Sequence, residues 1–201
     1  MAPRTGGPAN VFAPERDEMS GTVAGALAEA WQSPPQASDL PPIEGPRLRA
    51  DRAGPAHVQQ IQACLEGAPD YFERTEGGPP SPDAAERLVA DAAVDDLRRV
   101  YALVPARGGR AVGVLDLYLH HPEPGVAHVA LLLFRESCQG LGYGKDTAAA
   151  LERALGQAGF AAVRASIGDE NPGARAFWER LGFAEIGRLD RGVSVHEKRI
   201  G

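Results

Sequence analysis

A glycine-rich segment at residues 139–145, QGLGYGK, constrains the fold of this chain more than any other stretch of its sequence. It connects the strongly apolar segment Val126–Phe134 to an amphipathic segment that begins near Tyr143. A strand, a glycine turn and a helix in this order leave the first amides of the helix without intrahelical acceptors, and such helix starts bind phosphate. Lys145 adds a positive charge at the same place. The segment therefore predicts a phosphate-binding turn between a strand and a helix.

Two common phosphate motifs do not fit this segment. A Walker loop requires GxxxxGK[ST], but Gln139 occupies the first glycine position and Asp146 follows the lysine. A Rossmann loop requires GxGxxG, whereas the glycines here are spaced GxGxG. The pattern (Arg/Gln)-x-x-Gly-x-(Gly/Ala) fits directly, through Gln139, Gly142 and Gly144.

A second segment, NPGARAFWERLGF at residues 171–183, predicts a helix. Asn171 is a favourable N-cap residue and Pro172 suits the first helical position. The apolar side chains that follow have helical spacing: Ala174, Phe177, Trp178 and Leu181. Taken alone, this segment predicts no more than a capped amphipathic helix.

The two segments together, about 30 residues apart and in this order, resemble the GNAT superfamily of acetyl-CoA-dependent N-acetyltransferases. The first matches the family's glycine loop, and the second is similar to its N-x-x-A-x-x-F-Y-x-x-x-G-F segment. The resemblance covers roughly Gly45–Ile200. It implies an acyltransferase that moves an acetyl group from acetyl-CoA to a primary amine of a small molecule or peptide by direct attack.

The order of the remaining elements predicts a mixed α/β sheet without reference to any family. The resemblance makes this more specific: an α+β fold with a GNAT-like, mostly antiparallel central sheet, flanked by helices, whose strands splay around the cofactor. The predicted strands are Arg47–Asp51, Tyr101–Val104, Ala111–Leu119, Val126–Phe134, Val163–Ile167, Ala184–Arg188 and Val193–Lys198. The predicted helices are Ala56–Glu66, a helix capped by Ser81 with Pro82 at its first position, Tyr143–Ala158 and Pro172–Leu181.

The resemblance also implies which residues bind acetyl-CoA. Free backbone groups of the splayed strand would hold the pantetheine arm, and the Phe134 amide would donate to the thioester oxygen. Amides of the glycine loop would hold the pyrophosphate, and Asn171 would meet the pantetheine region. The full set of expected cofactor-binding residues is Leu132, Leu133, Phe134, Gln139, Gly140, Leu141, Gly142, Tyr143, Gly144, Lys145, Asn171 and Trp178.

Two residues are candidates for catalysis. His128 lies eleven residues before Gln139, where the family often places a general base, and strict alternation would put it on one face with Leu132 and Phe134. A histidine can accept a proton near neutral pH. The alternative is a strand histidine paired to a neighbour. Asp116 interrupts an apolar strand and could bind the acceptor's ammonium group or act as base; a peripheral hydrogen-bonded position is the alternative.

Trp178 departs from the family pattern. Many members place there a tyrosine that protonates the leaving CoA thiolate, whereas an indole cannot give up its proton at working pH. Water or another residue would then protonate the thiolate, or the thiolate would leave unprotonated, which its pKa of about 8.5 permits. This departure keeps two alternatives open: a non-catalytic acyl-CoA-binding or interaction module on the same fold, and a transferase for other acyl groups.

Metal chemistry and thiol catalysis are not favoured. His120, His121 and Glu123 lie in a hairpin loop beside prolines, without the helical HExxH spacing of a zinc site. Cys138 lies near the glycine loop, but no His–Asp arrangement indicates a nucleophile. We therefore expect acetyl-CoA as co-substrate and no metal.

The first 44 residues differ from the rest of the chain. They hold two basic and six acidic residues, −4 of the total net charge of −6, and are rich in proline. We expect 1–44 to be a tail and 45–201 to be the catalytic domain. One helix over about 20–32, capped by Ser20, has an apolar stripe formed by Val23, Leu27, Ala30 and Trp31. It could pack on its own domain or contact a partner, which leaves a homodimer open.

Composition limits the location and the partners. The net charge of −6 argues against a nucleic-acid binder. No run of about 18 apolar residues and no secretory h-region occurs, so we expect neither a membrane span nor secretion. Two cysteines, Cys64 and Cys138, are too few for a disulfide framework, and we expect a reducing, cytoplasmic location.

Overall fold

The computed structural model describes residues 40–189 and 192–200. The helix predicted at about 20–32 and most of the 1–44 segment lie outside the described residues. Within them, seven strands form one sheet in the order β1-β2-β3-β4-β5-β7-β6, and every neighbouring pair is antiparallel except β4 and β5. The strands are β1 Leu48–Arg52, β2 Arg98–Pro105, β3 Gly113–Leu119, β4 Val126–Phe134, β5 Ala162–Gly168, β6 Ala184–Leu189 and β7 Val193–Arg199. The predicted mixed, mostly antiparallel sheet is confirmed.

Helices cover both faces of this sheet. They are α1 Val58–Glu66, α2 Pro69–Glu76, α3 Ala84–Val94, α4 Tyr143–Gln157 and α5 Pro172–Arg180. In the described part of the chain, no helix is both long and apolar enough to cross a membrane.

Three of the differences from the sequence-based expectation have a physical reason in the structure. Helix α2 was not predicted, because it is short and polar and buries only Phe72 of its eight residues. Helix α3 begins at Ala84 rather than Pro82, since Asp83 takes the N-cap position and the Ser81 hydroxyl bonds its carboxylate at 2.6 Å. Strand β2 begins three residues earlier than predicted, at Arg98. This arginine is buried, but its charge made the position look exposed in the sequence.

Each sheet face has its own hydrophobic core. We call the first the α4–α5 face, where those helices pack on side chains such as Leu117, Val129 and Ile167. We call the second the α1–α3 face, where α1, α2 and α3 pack on Val100, Val114 and Leu133. Ile43 is buried in the core of the α4–α5 face, so the folded part also includes residues just before β1.

A β-bulge interrupts the alternation of β4. Asp116 and Leu117 are consecutive on β3, but their partners on β4 are Leu131 and Val129, which leaves Ala130 as an extra residue. An extra residue reverses the side to which all following side chains point.

The bulge corrects one expectation about the site. Val129 before it belongs to the core of the α4–α5 face, whereas Leu131 packs against the core of the α1–α3 face. His128 therefore points to the α1–α3 face, while Leu132 and Phe134 point to the opposite one. Strict alternation predicted the same face for all three and is wrong, because sequence spacing does not reveal an inserted residue.

Strands β4 and β5 separate along their length. They are paired only from Val126 to Val129 on β4 and from Ala162 to Ala165 on β5. Beyond these residues the two strands diverge and leave a gap in the middle of the sheet. This gap positions the candidate site.

Candidate active site

A cleft of about 810 Å³ fills the gap between β4 and β5. Helix α5 contributes to its wall on the α4–α5 face, and Tyr71 and Arg74 of α2 contribute on the α1–α3 face. The cleft therefore passes through the sheet and is reached from both faces. Its other walls come from residues 129–134 of β4, the glycine loop and residues 165–168 of β5.

The glycine loop shapes one end of this cleft. Gly140 and Gly142 have φ of +72° and +82°, a region that favours glycine. A Cβ on Gly144 would lie 3.1 Å from the Phe177 ring. The Asp146 amide donates to the Gly142 carbonyl at 3.1 Å, so the amides that precede it at the start of α4 are not used inside the helix. This arrangement suits an anion such as a pyrophosphate.

Arg47, just before β1, holds the glycine loop from outside. Its Nη1 donates to the Leu141 carbonyl at 2.7 Å, and Nε and Nη2 donate to the Asp146 carboxylate at 2.5 and 3.0 Å. The hydrogen bond from Arg47 is the main reason that the pKa of Asp146 lies below its usual value. Sequence reasoning missed this contact because 99 residues separate the two side chains and no local pattern joins them.

The backbone of β4 offers free groups to the cleft. The Arg135 amide donates to Val112 on the β3 side at 3.0 Å, and alternate residues of a strand direct their backbone groups to opposite edges. Leu132 and Phe134 therefore direct their amides to the cleft, whereas Leu133 faces β3. Of the three expected pantetheine contacts, Leu133 can contribute its side chain but not its amide.

Three further predicted residues also line the cleft. The Asn171 side chain caps α5 by accepting from the Ala174 amide at 3.0 Å, as predicted. Gln139 donates from Nε2 to the Phe134 carbonyl at 3.0 Å and so ties the loop to β4. Trp178 is only 6% exposed and packs on Phe183, with ring centroids 4.7 Å apart. The indole is thus mainly a core side chain with one edge at the cleft.

His128 lies behind the cleft wall rather than on it. It is only 6% exposed, and its Nε2 is 3.2 Å from the hydroxyl of Ser166, which does line the cleft. Burial, followed by the charges of His121 and Arg164, lowers the pKa of His128 to about 3. A group of such low pKa is a weak proton acceptor, and the ring is not among the side chains that line the cleft, so the geometry does not support His128 as a base in direct contact with an amine.

Asp116 is also remote from the cleft. It is fully buried and accepts two hydrogen bonds from Arg98, at 3.0 and 2.7 Å. Burial raises the pKa of this carboxyl, and Arg98 opposes that effect. The hydrogen-bonded alternative therefore describes Asp116, and its ion pair with Arg98 satisfies a charge that would otherwise be costly to bury.

Sequence reasoning missed the side chains that line the α1–α3 side of the cleft. Tyr71 and Arg74 belong to α2, which was not predicted, and burial is the main reason that the pKa of Tyr71 rises to about 12. Ser166 was overlooked, although it is a polar residue in the otherwise apolar strand segment ASIG. The carboxylate of Glu170 lies against Gly168, which does line the cleft. These residues give the α1–α3 side of the cleft polar and charged side chains.

The hairpin-loop residues that were considered as metal ligands have structural partners. His120 stacks on Phe160 with ring centroids 4.6 Å apart, and Glu123 accepts from Arg164 at 2.8 Å. Across residues 40–189 and 192–200, no group of three or more His, Cys, Asp or Glu side chains is placed to hold a metal ion.

Comparisons with known proteins agree with this geometry. The model of the Acetyltransferase (GNAT) family matches residues 62–183, more than half of the chain. An acetyltransferase from Thermus thermophilus is similar at 29% identity and a TM-score of 0.68, over 76% of this chain and 96% of that one.

Two further solved structures share the fold at lower identity. One is a probable acetyltransferase of the GNAT family from Chromobacterium violaceum, with 18% identity, a TM-score of 0.69, and 94% and 98% of the two chains covered. The other is a GCN5-related N-acetyltransferase from Brucella melitensis, with 18% identity, a TM-score of 0.69, and 85% and 83% covered.

Proposed function

Because the chain belongs to the GNAT family of acetyltransferases, and so to the acyltransferase enzymes, we propose that it acetylates a primary amine of a small molecule or peptide. Acetyl-CoA-dependent acetyl transfer is the general reaction of this family. The acceptor, the residues that bind each substrate and a cytoplasmic location are parts of our proposal.

The observation that carries the proposal is the cleft that passes through the sheet. One end holds unused helix-start amides beside Lys145, which suits the pyrophosphate of CoA. Its middle offers the Leu132 and Phe134 amides along a narrow gap, which suits the pantetheine arm. Its other end, beside Tyr71 and Arg74, remains for the acceptor. Two substrates can therefore meet between β4 and β5 from opposite faces.

The chemistry at the meeting point needs little acid–base help. The amine attacks the thioester carbonyl, whose oxygen gains charge that the Phe134 amide would stabilise. The family tyrosine is replaced by Trp178, so the thiolate leaves unprotonated, which a pKa of about 8.5 permits. Because His128 and Asp116 are buried behind the wall, we propose that the amine enters already neutral.

This scheme favours weakly basic amines. Deprotonating a lysine-like amine of pKa about 10.4 at pH 7 costs about 4.6 kcal/mol, whereas an α-amine of pKa about 7.8 costs about 1 kcal/mol. Amino-terminal or α-amino groups are therefore the acceptors that the site should use best, and lysine side chains should react more slowly at pH 7.

The test measures binding and turnover separately. Calorimetry with CoA reports on the cofactor half, and release of the CoA thiol from acetyl-CoA reports on transfer to glycinamide, Nα-acetyl-lysine amide, spermidine and kanamycin. We expect CoA binding and fastest turnover with glycinamide. Binding without turnover on any amine would favour a non-catalytic acyl-CoA module, and faster turnover with longer acyl-CoAs would favour another acyl group.

A further inference from the structure

Ser166 occupies the point where the two central strands separate. The last paired residues are Val129 on β4 and Ala165 on β5. The next residue on β5 is Ser166, and the next on β4 is the bulged Ala130. Both line the cleft. Ser166 is thus the polar side chain at the apex of the cleft, where the two strands are still close together, and we place the meeting point of the two substrates there.

The Ser166 hydroxyl has a buried partner on the far side from the cleft. Its Oγ is 3.2 Å from Nε2 of His128, which is almost inaccessible to water. On the same face, the His121 ring meets the His128 ring edge-on with centroids 5.8 Å apart, and Tyr118 is the partner of His128 on β3. An imidazole held on several sides fixes the direction of the hydroxyl bonded to it.

The arginine beside this imidazole is held by two carboxylates. Arg164, the β5 partner of His128, donates to Glu197 at 2.7 Å and to Glu123 at 2.8 Å. A buried, neutral imidazole can accept a hydrogen bond through its unprotonated nitrogen. It takes up a proton less readily, because burial and the nearby Arg164 disfavour its charged form.

We propose that Ser166 is a catalytic residue whose hydroxyl accepts a hydrogen bond from the attacking amine, and that His128 is a positioning residue. His128 holds the hydroxyl by accepting its hydrogen at Nε2, so that the oxygen lone pairs face the cleft. This inference rests on the acetyl transfer proposed above and assigns the apex of the cleft to the amine.

The step balances without a proton on either residue. The amine nitrogen forms the new C–N bond, the C–S bond breaks, CoA leaves as its thiolate, and the amine proton passes to solvent water. Ser166 keeps its own hydrogen throughout. Its contribution is to aim the nitrogen at the thioester, and misalignment of reacting groups by about 1 Å can cost about 100-fold in rate.

The chain contains a second buried serine–histidine pair that serves as a matched control. On β7, Ser194 Oγ is 3.1 Å from Nε2 of His196, and both residues are fully buried. Ser194 is the β7 partner of Ile167 and points to the opposite face from Ser166. Replacing Ser194 should therefore lower stability without changing turnover.

The experiment compares Ser166→Ala, Ser166→Thr, His128→Leu, His128→Gln, the double variant Ser166→Ala/His128→Leu and the control Ser194→Ala. Turnover is measured with acetyl-CoA and the fastest amine of the panel above, and CoA affinity by calorimetry. Ser166→Ala should lower kcat about 10- to 100-fold with CoA affinity unchanged. Ser166→Thr keeps the hydroxyl, and His128→Gln keeps a hydrogen-bond acceptor near the position of Nε2. Each of these two variants should therefore keep most of the wild-type kcat.

Coupling decides whether His128 acts through Ser166. The double variant should be no slower than the slower single variant, because both remove the same aimed hydroxyl. Unchanged kcat in Ser166→Ala would overturn the proposal, and this test holds even if His128→Leu does not fold. Losses of kcat that multiply in the double variant would also overturn it. Failure of the wild type to bind CoA would instead refute the proposed function.

Discussion

The two faces of the sheet build their parts of the cleft in different ways. On the α4–α5 face, the site consists mainly of backbone: glycine-loop amides at the start of α4 and the free amides of β4. On the α1–α3 face, it consists of side chains, including Tyr71, Arg74 and Ser166, with the buried His128 and the buried pair Arg98–Asp116 behind them. Backbone-built sites depend on local geometry, whereas side-chain sites depend on register and long-range contacts.

The largest effect that this comparison predicts is on the backbone-built side. Gly142→Val places a Cβ 2.5 Å from the Arg47 guanidinium, at a φ of +82° that strains any side chain. Because valine strains the backbone at this φ and displaces the Arg47 side chain, the loop amides should lose their alignment, and CoA affinity should fall by at least about 100-fold, or about 2.7 kcal/mol. Calorimetry with CoA measures this loss.

A turn glycine far from the cleft provides the control for that variant. Gly108 has a φ of +86°, and an added Cβ would meet no described atom within 4 Å. Gly108→Val therefore carries similar backbone strain and should lower thermal stability while CoA affinity is kept. Equal CoA affinity in folded Gly142→Val and wild type would show that the loop does not bind the pyrophosphate.

On the side-chain-built face, the second largest effect is on stability. Because the pKa of His128 in the folded state lies at about 3, below its ordinary value of about 6.5, the neutral ring stabilises the fold above pH 6.5. That contribution is lost as the pH falls from 6.5 towards 3. Between pH 7 and pH 5 the loss amounts to about 2 kcal/mol.

Urea unfolding at the two pH values, in wild type and in His128→Gln, measures this contribution. The variant is less stable at pH 7 but should lose about 2 kcal/mol less than wild type on going to pH 5. The difference between the two proteins isolates His128 from the other buried histidines. Equal losses would mean that the imidazole is not held neutral by the fold.

The same contrast explains how much of this molecule the sequence could predict. The glycine spacing around Gly142 and the capped segment at Asn171 are local patterns, and they predicted the family and the two ends of the loop-side cleft wall, since backbone geometry follows from neighbouring residues. The face of His128 was predicted wrongly because a single bulged residue, Ala130, is invisible to spacing arguments.

Contacts between residues far apart in the sequence also could not be predicted. The ion pair of Asp116 joins residues 18 apart on adjacent strands, and the contact of Arg47 with the loop spans 99 positions. A buried carboxylate needs a partner, but the sequence does not say which arginine supplies it. Ser166 could have been found as the polar residue of the otherwise apolar segment ASIG, whereas its histidine partner required the register of β4 and β5.

A smaller effect on CoA affinity is expected where the chain before β1 contacts the glycine loop. Arg47→Gln removes the hydrogen bonds to Leu141 and Asp146 and should weaken CoA binding about tenfold, since the amides of the loop lose their fixed alignment. The effect is smaller than that of Gly142→Val because the Arg47 side chain is half exposed and solvent screens its ion pair.

Arg153 is the matched control for Arg47. It also joins α4 to the chain before β1, by donating to the Glu44 carbonyl at 2.9 Å, but it does not contact the glycine loop. Arg153→Gln should leave CoA affinity unchanged. Equal weakening by both variants would show that anchoring of the chain before β1, rather than the loop contact, supports binding.

The smallest effect on activity is expected at Trp178, where core packing and the cleft meet. Trp178→Tyr restores the phenol that many family members carry, but a thiolate of pKa about 8.5 already leaves well, so kcat should be equal or higher by less than about threefold. The smaller ring leaves space beside Phe183 and should cost about 1–2 kcal/mol of stability. Thiol-release assays and urea unfolding measure both. A gain well above threefold would show that thiolate protonation limits the wild type, and loss of CoA affinity would show that the indole forms a wall of the cofactor site.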